Sequence, residues 1–379
     1  MKIGNVTLDG PLALAPMAGM TDTAFRRLVK RRGGCGLVVT EMVSSEGLVR
    51  GIDRTLEYAE YTEEERPVSI QIFGGDPAKM ADAARIVEGM GADVVDVNMG
   101  CPVPKIAKHN AGCSLMREPA HAQSIVRAMT DAVKIPVTVK MRAGWTDREI
   151  NAPDVARRME DAGAAAVAVH GRTAEQSYNG FSDWELIARV AAGLRIPVFG
   201  SGDCVAPEQA LERIRGGRIG GVLVGRGALR NPWIFSQAAD LLDGRPAREV
   251  TLAERGQFLL EYLELLLSER VGEADGFRHV APGVDRTADG VAPGLSLVRS
   301  ASMPARGRER WVINKLRALG SWYTKGLDNG SHLRVAINSA ESIAQLREII
   351  EAFFFDPLRA DAQPCSVRTS QASTASAIS

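Results

Sequence analysis

The chain has 379 residues, 45% of them apolar and 24% charged, a globular composition that excludes a disordered chain and gives room for a large barrel with an appendage or for two ordinary domains. Lysine plus arginine number 46, as do aspartate plus glutamate, so whole-chain charge selects neither an acidic nor a basic partner. No apolar run nears the roughly 20 residues of a membrane span, no export-type apolar segment follows Met1, and the five cysteines (35, 101, 113, 204, 365) include no C-x-x-C pair, so free thiols, no membrane and a cytoplasmic location are expected.

Up to about residue 235, short apolar runs alternate with helical stretches. Strands are expected at 12–15, 37–40, 69–73, 94–98, 137–141, 166–169, 198–200 and 221–224. Runs such as Val167-Ala168-Val169 and Val222-Leu223-Val224 do not alternate, as suits parallel strands covered on both faces. Asp22 is placed to cap a helix running to Leu28, Asp76-Pro77 to open one ending before Gly91, and Pro207 to open one ending at Gly216. Eight such units predict an α/β fold of the (β/α)8 TIM-barrel type over residues 1–242, with an open doubly wound sheet as the rival. After Pro232 the strand signals stop. Helical spacing at 251–270, 310–325 and 339–355 predicts a C-terminal all-helical domain over 251–356. Residues 271–307 hold 18 Gly, Ala, Pro or Ser among 37 and no sustained period, which reads as a flexible insertion. Residues 359–379 hold 12 Ser, Ala or Thr among 21 and read as a disordered tail.

Function in a barrel sits where the strand C-termini converge. Gly200-Ser201-Gly202-Asp203 and Gly225-Arg226-Gly227 end the last two strands; they suit a phosphate held by backbone N–H groups and Arg226, or are tight turns only. Lys140, in a buried-looking strand, needs an anionic or hydrogen-bonding partner, either a structural salt bridge or a ligand such as a reduced flavin ring or a phosphate. Gln71 presents an amide that suits the imide edge of a heterocycle or satisfies backbone. His170 reads as a satisfied core histidine or as a catalyst. Cys101, between Gly100 and Pro102 at a strand exit, is an inert thiol or a proton donor above the mouth. No H-E-x-x-H, Ser-His-Asp context or carboxylate pair stands out, so neither a metal site nor hydrolysis is expected. Residues 306–325 carry basic side chains at 306, 308, 310, 315, 317 and 325 against Glu309 alone, either phosphate contacts or a solvated face. Trp322 and Tyr323 read as helix packing.

The runs Ala15-Pro16-Met17-Ala18-Gly19-Met20-Thr21-Asp22, Gln71-Ile72-Phe73-Gly74, Val97-Asn98-Met99-Gly100-Cys101-Pro102, Val139-Lys140-Met141-Arg142 and His170-Gly171-Arg172-Thr173 resemble those of the flavin-dependent tRNA-dihydrouridine synthases, most closely the B-type branch. That resemblance implies an FMN-binding barrel, a helical tRNA-binding domain, and reduction of the 5,6 double bond of a uridine in tRNA, with NADPH or NADH reducing the flavin. It further implies that Pro16, Met17 and Ala18 line the flavin ring and that Gln71 and Lys140 meet its polar edge. Ser201, Gly202, Asp203, Gly225 and Arg226 would hold ribityl and phosphate, and Cys101 would be the proton donor. By the same resemblance His170 lies by the flavin, and Asn98 and Arg172 by the target uracil. Ser201 stands where the family more often has Asn. No obligate protein partner is implied. A flavin barrel acting on a free pyrimidine and a non-catalytic RNA-binding barrel are the rival readings.

Overall fold

Each of the eight apolar runs forms a parallel strand in the computed structural model, which describes residues 1–107, 110–268 and 305–356. In chain order these are β1 (Leu12–Leu14), β2 (Leu37–Val39), β3 (Val68–Phe73), β4 (Val94–Met99), β5 (Val137–Arg142), β6 (Ala166–His170), β7 (Val198–Ser201) and β8 (Gly221–Val224). Each pairs with its successor, and β8 returns to β1 through Val222↔Leu12 and Val224↔Leu14. The sheet is therefore closed, which disposes of the open-sheet rival. A short segment, Val43–Ser44, resumes β2 after a break and pairs with Ile72 and Phe73 of β3.

The strand period of two sorts the side chains. Ile70, Ile72, Val95, Val97, Val139, Met141, Val167 and Val169 join the layer between sheet and surrounding helices. A second, separate apolar cluster fills part of the barrel: Ala13, Ala15, Leu37, Ala166, Ala168, Phe199 and Leu223, capped by Ile3 and Leu8. The cap is a hairpin pairing Lys2–Ile3 with Val6–Thr7, two-residue strands too short to leave a period in the sequence. Gly4 in its turn has φ +55°, and a Cβ there would meet Pro136 Cγ at 2.8 Å, so the hairpin needs glycine to lie against the strand N-termini. On β3, β4 and β5 the alternate positions are polar instead. Register sets Gln71 opposite Asp96, Asp96 opposite Thr138, and Asn98 opposite Lys140.

The expected caps are present: Asp22 accepts from Phe25 N ahead of Thr23–Arg32, Asp76 accepts from Lys79 N ahead of Pro77–Gly89, and Pro207 opens Pro207–Arg215. The C-terminal region is helical, with one more helix than expected: Leu252–Ser268, Ala305–Tyr323, Gly330–Ser339 and Ile343–Phe354. The 310–325 helix starts earlier, at Ala305, so the last residues of the expected flexible insertion are helical. The expected 339–355 helix begins instead at Ile343, because Ala340 is extended and Ser342 caps Gln345 N. Most of that insertion, and the expected tail, lie outside the described residues. No helix among the described residues is long and apolar enough to cross a membrane.

The helical region is packed onto the barrel through aromatic rings and ion pairs. Phe25 sits edge-on to Phe258 and Tyr262, and Phe258 stacks on Tyr323 at 5.5 Å. Buried Arg255 donates to Arg230 O (2.7 Å) and Tyr323 O (3.2 Å). Lys315 reaches from its helix to Asp22 (2.9 Å), Gly19 O (3.1 Å) and Glu41 (3.6 Å). Burial pushes the Glu41 carboxyl up and Lys315 pulls it back. Lys315→Met is therefore expected to lower stability to urea by about 3 kcal/mol at pH 8, since it leaves a buried charge uncompensated. The loss should shrink toward pH 5 as Glu41 takes up a proton; equal losses at both pH values would contradict this pairing.

Candidate active site at the barrel mouth

The polar sector of β3–β5 forms one hydrogen-bonded chain. Thr138 Oγ1 donates to Asp96 Oδ1 (2.6 Å), and Gln71 Nε2 donates to Asp96 Oδ2 (2.7 Å). Asn98 Nδ2 donates to Gln71 Oε1 (2.7 Å), while Asn98 Oδ1 accepts from Gly100 N (3.1 Å) and Cys101 N (2.9 Å). All four side chains are buried. Cross-strand register explains the contacts, because paired inward positions on adjacent strands lie side by side. Burial pushes the Asp96 carboxyl above its ordinary range, opposed by the two donors and by the Lys140 charge. Lys140, half-buried on β5, makes no hydrogen bond among the described residues. Burial and the Arg142 charge pull its ammonium down to about 8, against Asp96.

Cys101 lies half-buried in the loop leaving β4, and its backbone is held at both ends. Its N–H goes to Asn98, its carbonyl accepts from Cys113 N (3.0 Å), and neighbouring Gly100 O accepts from Arg142 Nε (2.9 Å). Arg142, also buried, ties in Thr173 O and Ser177 O. Across the mouth, the Pro16-Met17-Ala18 loop is closed by Thr21, whose Oγ1 accepts from Met17 N and donates to Met17 O. Ala18 is exposed, with Pro16 and Met17 half-buried. Gly19 N donates to Glu41 Oε2 at 2.5 Å.

The β6, β7 and β8 loops are clasped together by Asp203. Its carboxylate accepts from Arg172 (2.7 and 2.9 Å) and Ser182 N (2.7 Å), with Arg226 at 3.5 Å. Gly202 has φ +119°, and a Cβ there would meet Ser182 Oγ at 2.5 Å, so only glycine fits the clasp. Ser201 is buried, its carbonyl accepting from Ser182 Oγ. Gly225 opens onto Met17 Sδ, 3.4 Å from an added Cβ, which brings the β8 and β1 loops together. His170 is buried at 3.4 Å from Arg172, and burial followed by the charges of Lys140, Arg142, Arg172 and Arg226 pulls its imidazole down to about 2.

Most expected residues thus converge on one mouth, with three differences. Arg172 is 2% exposed and spends its donors on Asn179 O, Gly180 O and Asp203, so it stands behind the site and not on a substrate-facing surface. The Asp203 carboxylate is likewise consumed by the clasp. The basic run 306–325 does not form a single face, because Lys315 is taken up by the barrel rim and Arg317 donates to Ala340 O. Lys325 lies over Trp322 at 4.0 Å, and burial together with Arg230, Arg334 and Arg226 lowers its pKa. Tyr323 is fully buried, as packing requires. Asp96, Thr138 and Arg230 were not singled out from sequence, although Asp96 and Asn98, two apart in Val94–Met99, carry the period-two polar signal that could have found the first.

Residues 13–318 match the family model described as dihydrouridine synthase (Dus). The chain belongs to that family. A "Probable tRNA-dihydrouridine synthase" of Rickettsia conorii is 34% identical over 93% of this chain and 96% of its own. The "tRNA-dihydrouridine synthase B" proteins of Xanthomonas campestris pv. campestris and Pseudomonas aeruginosa are 41% and 40% identical over 70% and 74% of this chain, 80% and 85% of theirs. These relatives place the chain in the B-type branch, and it is an enzyme of the dihydrouridine synthase family. Among solved structures, a 2-naphthoyl-CoA reductase complex matches 65% of this chain and 52% of that one with TM-score 0.50 at 15% identity, a likeness of fold. In this family member the buried imidazole should stay neutral: the His170 ring resonance is expected not to shift between pH 5 and 8 by NMR, and a titration midpoint near 6.5 would contradict the assignment.

Proposed function

We propose that this dihydrouridine synthase reduces the 5,6 double bond of a tRNA uridine with bound FMN, that NADPH or NADH is the reductant, and that Cys101 supplies the proton. The observation that carries the reading is the Lys140 ammonium, half-buried at the mouth without a hydrogen-bond partner among the described residues. Such a cation is costly unless an anion meets it. Lys140, Arg142 and Arg226, set against Asp96 and Asp203, suit a flavin, whose phosphate is anionic and whose ring becomes anionic on reduction. Pro16, Met17 and Ala18 would line one face of the ring, with Gln71, Lys140 and His170 at its edges. Ser201, Gly202, Gly225 and Arg226 would hold ribityl and phosphate, while Asp203 and Arg172 would shape that pocket from behind.

When bound and reduced by the nicotinamide, FMN would supply a hydride to uracil carbon 6 and return to its oxidised form. The remaining negative charge on the uracil would be discharged by a proton at carbon 5, for which the Cys101 thiol would be the donor. Asn98, held by Gln71 and by the Cys101 loop, faces the base. A base stacked in folded tRNA must be extruded to reach this depth. Arg230, Lys325 and Arg334, with Arg230 and Arg334 both repelling Lys325 where the barrel meets the helices, would grip RNA phosphates and offset that cost. Such an enzyme works in the cytoplasm.

Two outcomes test the reading. Cys101→Ala should slow tRNA-dependent flavin oxidation by about 10²–10⁴, the size of general-acid assistance, with flavin still bound; unchanged oxidation would remove Cys101 from the mechanism. The double variant Arg230→Ala/Lys325→Ala should weaken tRNA binding and flatten the log–log salt dependence by about 1.5, from two lost phosphate contacts. An unchanged slope would place the RNA elsewhere.

A further inference from the structure

The chain from Thr138 to Cys101 has a direction, and that direction is set independently from both ends. At the loop end, the N–H groups of Gly100 and Cys101 can only donate, so the Asn98 atom they meet is its oxygen. The Asn98 nitrogen therefore faces Gln71, and two amide nitrogens cannot face each other as partners, so Gln71 presents Oε1 there. Its nitrogen is left for Asp96, whose Oδ2 accepts it at 2.7 Å. From the barrel interior the same arrangement follows in reverse, because a carboxylate oxygen beside Gln71 selects its NH2. Neither carboxamide can flip without placing donor against donor or acceptor against acceptor in a buried site.

We propose that Asp96 is a positioning residue for Cys101, acting through the oriented carboxamides of Gln71 and Asn98 to hold the thiol-bearing loop in place. The consequence for catalysis rests on the reading of Cys101 as proton donor; the positioning itself does not. Asp96 sits on the inward face of β4, one hydrogen bond from Gln71 on β3 and one from Thr138 on β5, so it is anchored on rigid strands, whereas Cys101 lies in a loop. Among the described residues, the other holds on Gly100 and Cys101, Arg142 at Gly100 O and Cys113 at Cys101 O, restrain carbonyls, and the Cys101 N–H donates to Asn98 of this chain.

The test is the rate at which iodoacetamide alkylates Cys101, read by mass spectrometry on the peptide that carries it, in flavin-free and flavin-loaded protein. Asp96→Leu removes the acceptor, frees Gln71 and should speed alkylation about tenfold, the weight of one to two buried hydrogen bonds. Asp96→Asn can still accept from Gln71 with its oxygen while its NH2 donates to the Thr138 hydroxyl, so it should stay within about twofold of the native rate. Gln71→Met interrupts the chain while leaving Asp96 its Thr138 donor and should match Asp96→Leu, and the double variant should add nothing further. Alkylation at the native rate in Gln71→Met, or Asp96→Asn as fast as Asp96→Leu, overturns the proposal, the first even if Asp96→Leu does not fold. Full turnover by Cys101→Ala would remove the proton-donor role while faster alkylation in Asp96→Leu still upheld the positioning.

Discussion

A barrel of eight parallel strands must fill its own interior, and here it does so in two incompatible ways. The side formed by β6–β8, β1 and β2 is closed by alanines, Leu37, Phe199 and Leu223, while β3–β5 turn in Gln71, Asp96, Asn98, Thr138 and Lys140. Polar groups this deep are tolerated only when each finds a partner. The constraint on which the site depends is therefore the pairing within that sector: every member of the Thr138–Asp96–Gln71–Asn98 chain is paired, while among the described residues the Ser69 hydroxyl and the Lys140 ammonium make no hydrogen bond, and only the second is a charge. On the proposed reading, that cation beside the paired chain is what would draw an anion to the mouth.

The helical region completes the rim as well as covering the barrel flank. Lys315 is contributed by a helix far along the chain, yet its partners are Gly19 O and Asp22, in the segment that carries Met17 and Ala18, and Glu41, just after β2. Its ammonium compensates Glu41, whose other oxygen holds Gly19 N. The geometry of the first loop of the mouth is thus partly fixed by the domain that would carry the RNA, a physical route by which docking and flavin-side geometry can be linked.

Strand positions were legible because each run is short, apolar and bounded by turn residues, and the caps Asp22, Asp76 and Pro207 announce their helices by type. Closure of the sheet was not, since no local pattern distinguishes β8 returning to β1 from an open edge. The terminal hairpin and the helix Gly330–Ser339 escaped for a related reason: two-residue strands have no period, and a segment opening on Gly-Ser-His has little intrinsic helix propensity. At the site, Lys140 and Gln71 could be picked out as polar residues in apolar strands. The places of Arg172 and Lys315 could not, because their burial depends on partners 31 and 296 residues away.

The central claim joins a flavin at this mouth to the reduction of uridine in tRNA, and a single turnover tests it most directly. Enzyme whose flavin has been reduced without oxygen is mixed with tRNA lacking dihydrouridine, and flavin absorbance and nucleoside content are followed together. The account predicts return of the oxidised spectrum with one dihydrouridine formed per flavin; a protein that binds no flavin, or flavin reoxidised by tRNA with no dihydrouridine, would contradict it.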